Sequence, residues 1–107
     1  MQILTPSMLA EWLRDSARPA PIVLDVREPW EISTAQIAGS VSIPMQQIPA
    51  RSEELDDEAE IVCVCHHGMR SAQVAMFLES RGHKDVFNLY GGIDAWSRQV
   101  DPSVPTY

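Results

Sequence analysis

Ile61-Val62-Cys63-Val64-Cys65, followed at once by His66-His67-Gly68-Met69-Arg70-Ser71, is the stretch on which the reading of this chain turns. The first five residues are apolar and mostly β-branched, with no polar alternation. That is the pattern of a central strand in a parallel sheet covered on both faces. Along an extended backbone, side chains two residues apart point the same way, so Cys63 and Cys65 share a face. Such spacing disfavours a disulfide between them. Cys63, inside the strand, is expected to serve as a small buried hydrophobe. Cys65 stands at the carboxyl end and enters the loop.

Working outward, Ser71 to Arg81 reads as a helix with Val74, Ala75, Phe77 and Leu78 on its inner side and Gly82 as its stop. Val86 to Leu89 is a further strand, and Gly91-Gly92 turns the chain into a last helix carrying Ile93 and Trp96. Upstream, Thr5-Pro6 caps an amphipathic helix bearing Met8, Leu9, Trp12 and Leu13, which ends before Pro19 and Pro21. Ile22 to Val26 is a short apolar strand, Glu28 to Ser33 a helical turn, and Val41 to Ile43 a strand stopped by Pro44. Met45 to Leu55 is expected to be irregular or weakly helical, and His83 to lie on the surface. Strands alternating with helices predict an α/β fold with a mainly parallel sheet and helices on both faces. In such folds the ligand sits beyond the carboxyl ends of the strands, where Cys65 stands.

The 107 residues suit one domain spanning 1–107, and 45% hydrophobic content is enough for one ordinary core without a staple. A net charge of −7 leaves no broad basic face, which argues against a nucleic-acid partner. No apolar run approaches a membrane span, and Met1 to Leu13 lacks the features of a secretory signal. A cytoplasmic protein is therefore expected. The acidic residues Glu53, Glu54, Asp56, Asp57, Glu58 and Glu60 read as a solvated surface, with docking of a basic partner as the alternative.

The loop itself carries the chemistry. A tight connection from a buried strand to a helix turns backbone N–H groups inward and adds the positive end of the helix. Arg70, His66 and His67 add positive charge, and Gly68 gives the turn its backbone freedom. All of these favour thiolate over thiol at Cys65. A free cysteine is only about 3% ionised at pH 7, and making the thiolate dominant takes about 2.7 kcal/mol. Cys65 is thus the candidate nucleophile, and His66, His67, Gly68, Met69, Arg70 and Ser71 are the candidate substrate-binding residues.

With that loop in view, the chain resembles the rhodanese family of sulfurtransferases. The likeness also runs through VLDVREPWE (23–31), QIAGSVSIP (36–44) and LYGGIDAW (89–96), in the family's order. It implies a three-layer α/β/α fold with a five-stranded sheet. It also implies a Cys65 persulfide loaded by an anionic sulfur donor, thiosulfate or a persulfide, and unloaded to cyanide or a thiol. No cofactor or metal is implied. A persulfide carrier or regulatory module dedicated to a protein partner is the alternative. Gln36 stands where many members have His, and His66, His67 and Met69 replace the Arg and Lys frequent in thiosulfate-preferring loops. Asp25, Arg27 and Glu28 match the first signature and are expected to tie loops together by ion pairs.

Two rivals weigh less. Phosphatase loops also pair Cys with Arg, but they carry one residue more than the four, His66 to Met69, found here. A metal centre built from Cys63, Cys65, His66 and His67 would need residues of an alternating strand and a turn to converge.

Overall fold

Thr5 opens the first helix: its hydroxyl accepts the Met8 N–H at 3.2 Å, and Pro6 occupies the first helical position. The computed structural model describes residues 1–107. In chain order they form β1 (Gln2–Leu4), α1 (Pro6–Arg14), β2 (Ile22–Asp25), α2 (Pro29–Thr34) and β3 (Val41–Ser42). A run of short 3-10 and α turns follows, with α3 (Ile48–Arg51) at its centre. Then come β4 (Glu60–Val64), α4 (Met69–Ser80), β5 (Asp85–Leu89) and α5 (Gly92–Gln99).

The five strands lie in the order β1-β5-β4-β2-β3 and every neighbouring pair is parallel. β4 sits at the centre, with Val62 opposite Val23 of β2 and Phe87 of β5. Its side chains alternate between two cores, as a strand buried on both faces must. Val62 and Val64 join Leu9, Trp12, Leu89, Ile93 and Trp96 beneath α1 and α5. Ile61, Cys63 and Cys65 join Ile48, Val74, Ala75 and Leu78 beneath α3 and α4. The Trp12 and Phe87 rings meet edge to face with centroids 5.3 Å apart. No helix is long and apolar enough to cross a membrane.

Three features depart from the reading of the sequence. β1 was not anticipated: three residues are too few to show a period, and only pairing with β5 defines them. α4 begins at Met69, two residues before the expected start at Ser71. His83 is buried, not on the surface. Its N–H closes the end of α4 by donating to Leu78 O at 3.1 Å, which folds the imidazole inward until Nε2 lies 3.6 Å from Asp57. Five of the six acids from Glu53 to Glu60 are exposed, as a solvated surface requires.

Candidate functional site

Cys65 is the first residue past β4, and α5 holds its backbone in place. Ile93 N–H donates to Cys65 O at 2.9 Å, and Asp94 N–H to His66 O at 3.1 Å. This approach is close enough that a Cβ on Gly92, whose φ is +63°, would lie 2.5 Å from Cys65 O. Glycine at 92 is what lets the first turn of α5 reach the loop.

The loop then folds back so that the sulfur faces its own amides. Gly68 N–H points at Cys65 Sγ from 3.0 Å, and Ser71 Oγ, in the first turn of α4, lies 3.2 Å away. A residue that the sequence reading missed completes this arrangement. Asn88 of β5 donates from Nδ2 to Gly68 O at 3.0 Å, and its Oδ1 lies 2.5 Å from Ser71 Oγ. The signal was present, because Asn88 is the one polar side chain in the apolar run Val86 to Leu89.

The other expected residues take different places. Met69 turns outward and is 79% exposed. Arg70 does not reach over the loop. Its guanidinium grips Glu31 of α2 with two bonds, to Oε1 at 2.7 Å and to Oε2 at 2.9 Å. Hydrogen bonding from Arg70 brings Glu31 down to about 2 although burial opposes it, and the same pairing raises Arg70. Behind this pair, Arg27 is fully buried against Asp25 at 2.6 Å, so two residues of the first signature form the expected ion pair, whereas Glu28 makes none and accepts from Trp30 Nε1 at 2.7 Å. Arg27 also donates to Ala35 O at 2.6 Å and to Tyr107 Oη at 2.9 Å, and that phenol donates to Glu31 at 2.6 Å. Burial, then the Glu31 bond, pushes Tyr107 up to about 12, which keeps it a donor.

His66 and His67 form the rim. The Tyr107 ring stacks on His66 with centroids 3.9 Å apart and planes at 7°. His67 covers the other side of His66 at 3.9 Å and 31°. Burial, with His67 next to it, lowers His66. Nitrogen and oxygen atoms of His66, His67 and Asp94 come within 4.8 Å of one another, but the rings are tilted face over face and Asp94 is held by Arg98 at 3.0 Å. Three cations at this end, Arg27, Arg70 and Arg98, are thus each matched by a carboxylate. The Gly68 amide and the amino end of α4 bring positive potential to the sulfur, and Arg70, although held by Glu31, adds to it. The mouth, lined by Cys65, His66, His67, Met69 and Arg70, opens beside a larger cleft where Ile3, Met69 and Tyr90 are exposed.

Residues 5–99 match the family model for the rhodanese-like domain. The rhodanese-like/PpiC domain-containing protein 12 of Arabidopsis thaliana is 44% identical over 89 residues, covering 79% of this chain and only 30% of that protein. The thiosulfate sulfurtransferase GlpE of Haemophilus influenzae is 31% identical over 104 residues, covering 97% of this chain and 95% of GlpE. Among solved structures, a rhodanese-like domain protein of Staphylococcus aureus superposes with a TM-score of 0.86 at 30% identity, over 100% of this chain and 99% of that one. With the parallel five-stranded sheet and the strand-to-helix cysteine loop, these likenesses have one reading: the chain belongs to the rhodanese-like domain family.

Proposed function

We propose that this domain, acting as one unit over residues 1–107, is a sulfurtransferase that carries a sulfane sulfur on Cys65. The observation that supports it most is the Cys65 sulfur itself, held at the end of the central strand before the Gly68 N–H and the amino end of α4. That arrangement favours negative charge on sulfur, first as thiolate and then as persulfide. The thiolate attacks the outer sulfur of an anionic donor, thiosulfate or a persulfide. A new S–S bond forms as the donor's S–S bond breaks, and the donor leaves with the electron pair. A thiol or cyanide then attacks the terminal sulfur and restores the thiolate. Two free thiols and no disulfide suit a reducing compartment such as the cytoplasm.

Cys65→Ala is expected to abolish transfer from thiosulfate and from an alkyl persulfide to cyanide, and to abolish the one-sulfur mass gain of the donor-treated protein. Cys63→Ala, which alters a fully buried strand position, keeps most of both. Transfer that survives without Cys65 but needs Cys63 would refute the assignment. A second reading, a carrier serving one protein acceptor, is favoured by the exposed Ile3, Met69 and Tyr90 beside the loop. It predicts loading by small donors with slow unloading to small thiols.

A further inference from the structure

Ser71 Oγ and Asn88 Oδ1 lie 2.5 Å apart in the interior, and two oxygens that close need a proton between them. Asn88 settles whose proton it is. Its Nδ2 donates to Gly68 O at 3.0 Å, and a carbonyl only accepts. The oxygen of the carboxamide therefore faces Ser71, and it too only accepts. The shared proton belongs to Ser71, and a hydroxyl has one. The 3.2 Å contact with Cys65 Sγ would also suit a bond from the Ser71 hydroxyl, but its one proton goes to the Asn88 oxygen 2.5 Å away, so Ser71, fully buried, turns a lone pair towards the sulfur.

A thiol completes this chain, its S–H donating to Ser71 and Ser71 donating to Asn88. A thiolate does not. It faces the hydroxyl's lone pair, or else the hydroxyl rotates and strips the buried Asn88 oxygen of its donor. Gly68 N–H is then the one donor left on the sulfur. We propose that Asn88 is a positioning residue that competes with Cys65 for the Ser71 proton, raising the energy of the free thiolate relative to the persulfide. This rests on the sulfurtransfer reading above. When the thiolate attacks R–S–S⁻, the Sγ–S bond forms, the donor's S–S bond breaks and R–S⁻ leaves with the electron pair. The charge on Cys65 moves to the terminal sulfur. Sγ becomes a neutral bridging atom that needs no proton from Ser71, so the conflict is relieved in the step that loads the protein.

The test is the pH dependence of Cys65 alkylation by iodoacetamide, which reads its thiolate. Both thiols are buried, but Cys65 lines the mouth of the site, whereas Cys63 lies inside β4 with its thiol pushed up to about 12 by burial and stays silent. The charged and titratable groups around the sulfur are Cys63 on β4, His66 and His67 in the loop, Arg70 on α4 with Glu31 of α2, Asp94 on α5, and Tyr107 against His66. All are retained in the variants. Asn88→Ala releases the Ser71 proton to the sulfur. The midpoint of the rate curve should move about one unit towards acid, giving about tenfold faster alkylation on the acidic limb before any loss of nucleophilicity. The alkaline plateau should fall about threefold, because nucleophilicity declines with basicity.

In a Ser71→Ala background the same change at Asn88 should leave the midpoint in place, since there is no proton to release. An equal shift with and without Ser71, or no shift in either, overturns the proposal. Should Asn88→Ala fail to fold by circular dichroism, Ser71→Ala alone decides. Its midpoint should stay or move towards acid, because the S–H loses its acceptor, whereas a rise of about one unit or more would show Ser71 donating to the thiolate and overturn the proposal. Wild-type protein that alkylates as described yet transfers no sulfur would refute the function and leave this proton arrangement standing.

Discussion

Replacing Gly92 with alanine would press a methyl group into the backbone that carries Cys65. The new Cβ would lie 2.5 Å from Cys65 O, well inside contact distance, and the atoms it meets are backbone carbonyls that cannot swing aside. Two costs combine. Holding a non-glycine residue at φ +63° costs about 1–2 kcal/mol. Pushing the loop away weakens the Ile93–Cys65 and Asp94–His66 hydrogen bonds, each contributing about 1 kcal/mol. The sum is about 3–4 kcal/mol. Gly39→Ala is the control, because Gly39 has φ +81° and a Cβ there would meet nothing within 4 Å, so it carries the first cost alone. Urea unfolding followed by circular dichroism measures both. With a slope of about 2 kcal/mol/M, Gly92→Ala should lower the midpoint by about 1.5–2 M and Gly39→Ala by about 0.5–1 M. Equal midpoints would refute the claim that α5 positions the cysteine loop by close backbone approach.

The Glu31–Arg70 pair makes two further predictions. Glu31 sits at about 2 in the folded chain against 4.5 for the free group, so its stabilisation is fully present above about pH 4.5 and is lost as pH falls towards 2. The shift corresponds to about 3 kcal/mol, and the urea midpoint of the wild type should drop over that window. Arg70→Ala should flatten this dependence, and an unchanged slope would count against the pairing. At neutral pH the same variant leaves the carboxylate of Glu31 buried with Tyr107 and the Glu28 N–H as its donors, and should cost about 2–3 kcal/mol of stability. Sulfur transfer per folded molecule should fall less than stability does, as kinetics on the folded fraction would check. A specific loss of turnover with stability intact would place Arg70 on the substrate instead.

The central strand was legible because burial on both faces leaves no polar residue between Ile61 and Cys65. The loop was legible because glycine, cysteine and arginine fall together at a strand-to-helix junction. Less visible was where each loop side chain turns. Arg70 looks like an anion ligand in sequence, but its partner Glu31 is 39 residues away, and no local pattern pairs them. Asn88 and Ser71 meet only because β5 lies beside β4, with Asn88 opposite Cys63. The burial of His83 depends on how α4 ends, since the His83–Leu78 bond decides the direction of the ring. Tyr107 likewise reaches His66 through the three-dimensional path of the last residues, which carry no periodic signal.

The strand order also sets a timetable for synthesis. β1 leaves the ribosome first, yet its only neighbour is β5, and Gln2 pairs with Phe87. At about 5–20 residues per second, β1 waits on the order of 4–17 s for its partner to be made. During that interval Leu4, which ends fully packed in the core, has no sheet to join. The central pair β2–β4 can assemble earlier, since both strands are complete once Val64 has been added. β2 and β3 are complete earlier still, so the sheet can grow from the β2–β3 edge across β4 and β5, and β1 is the last strand to find its place.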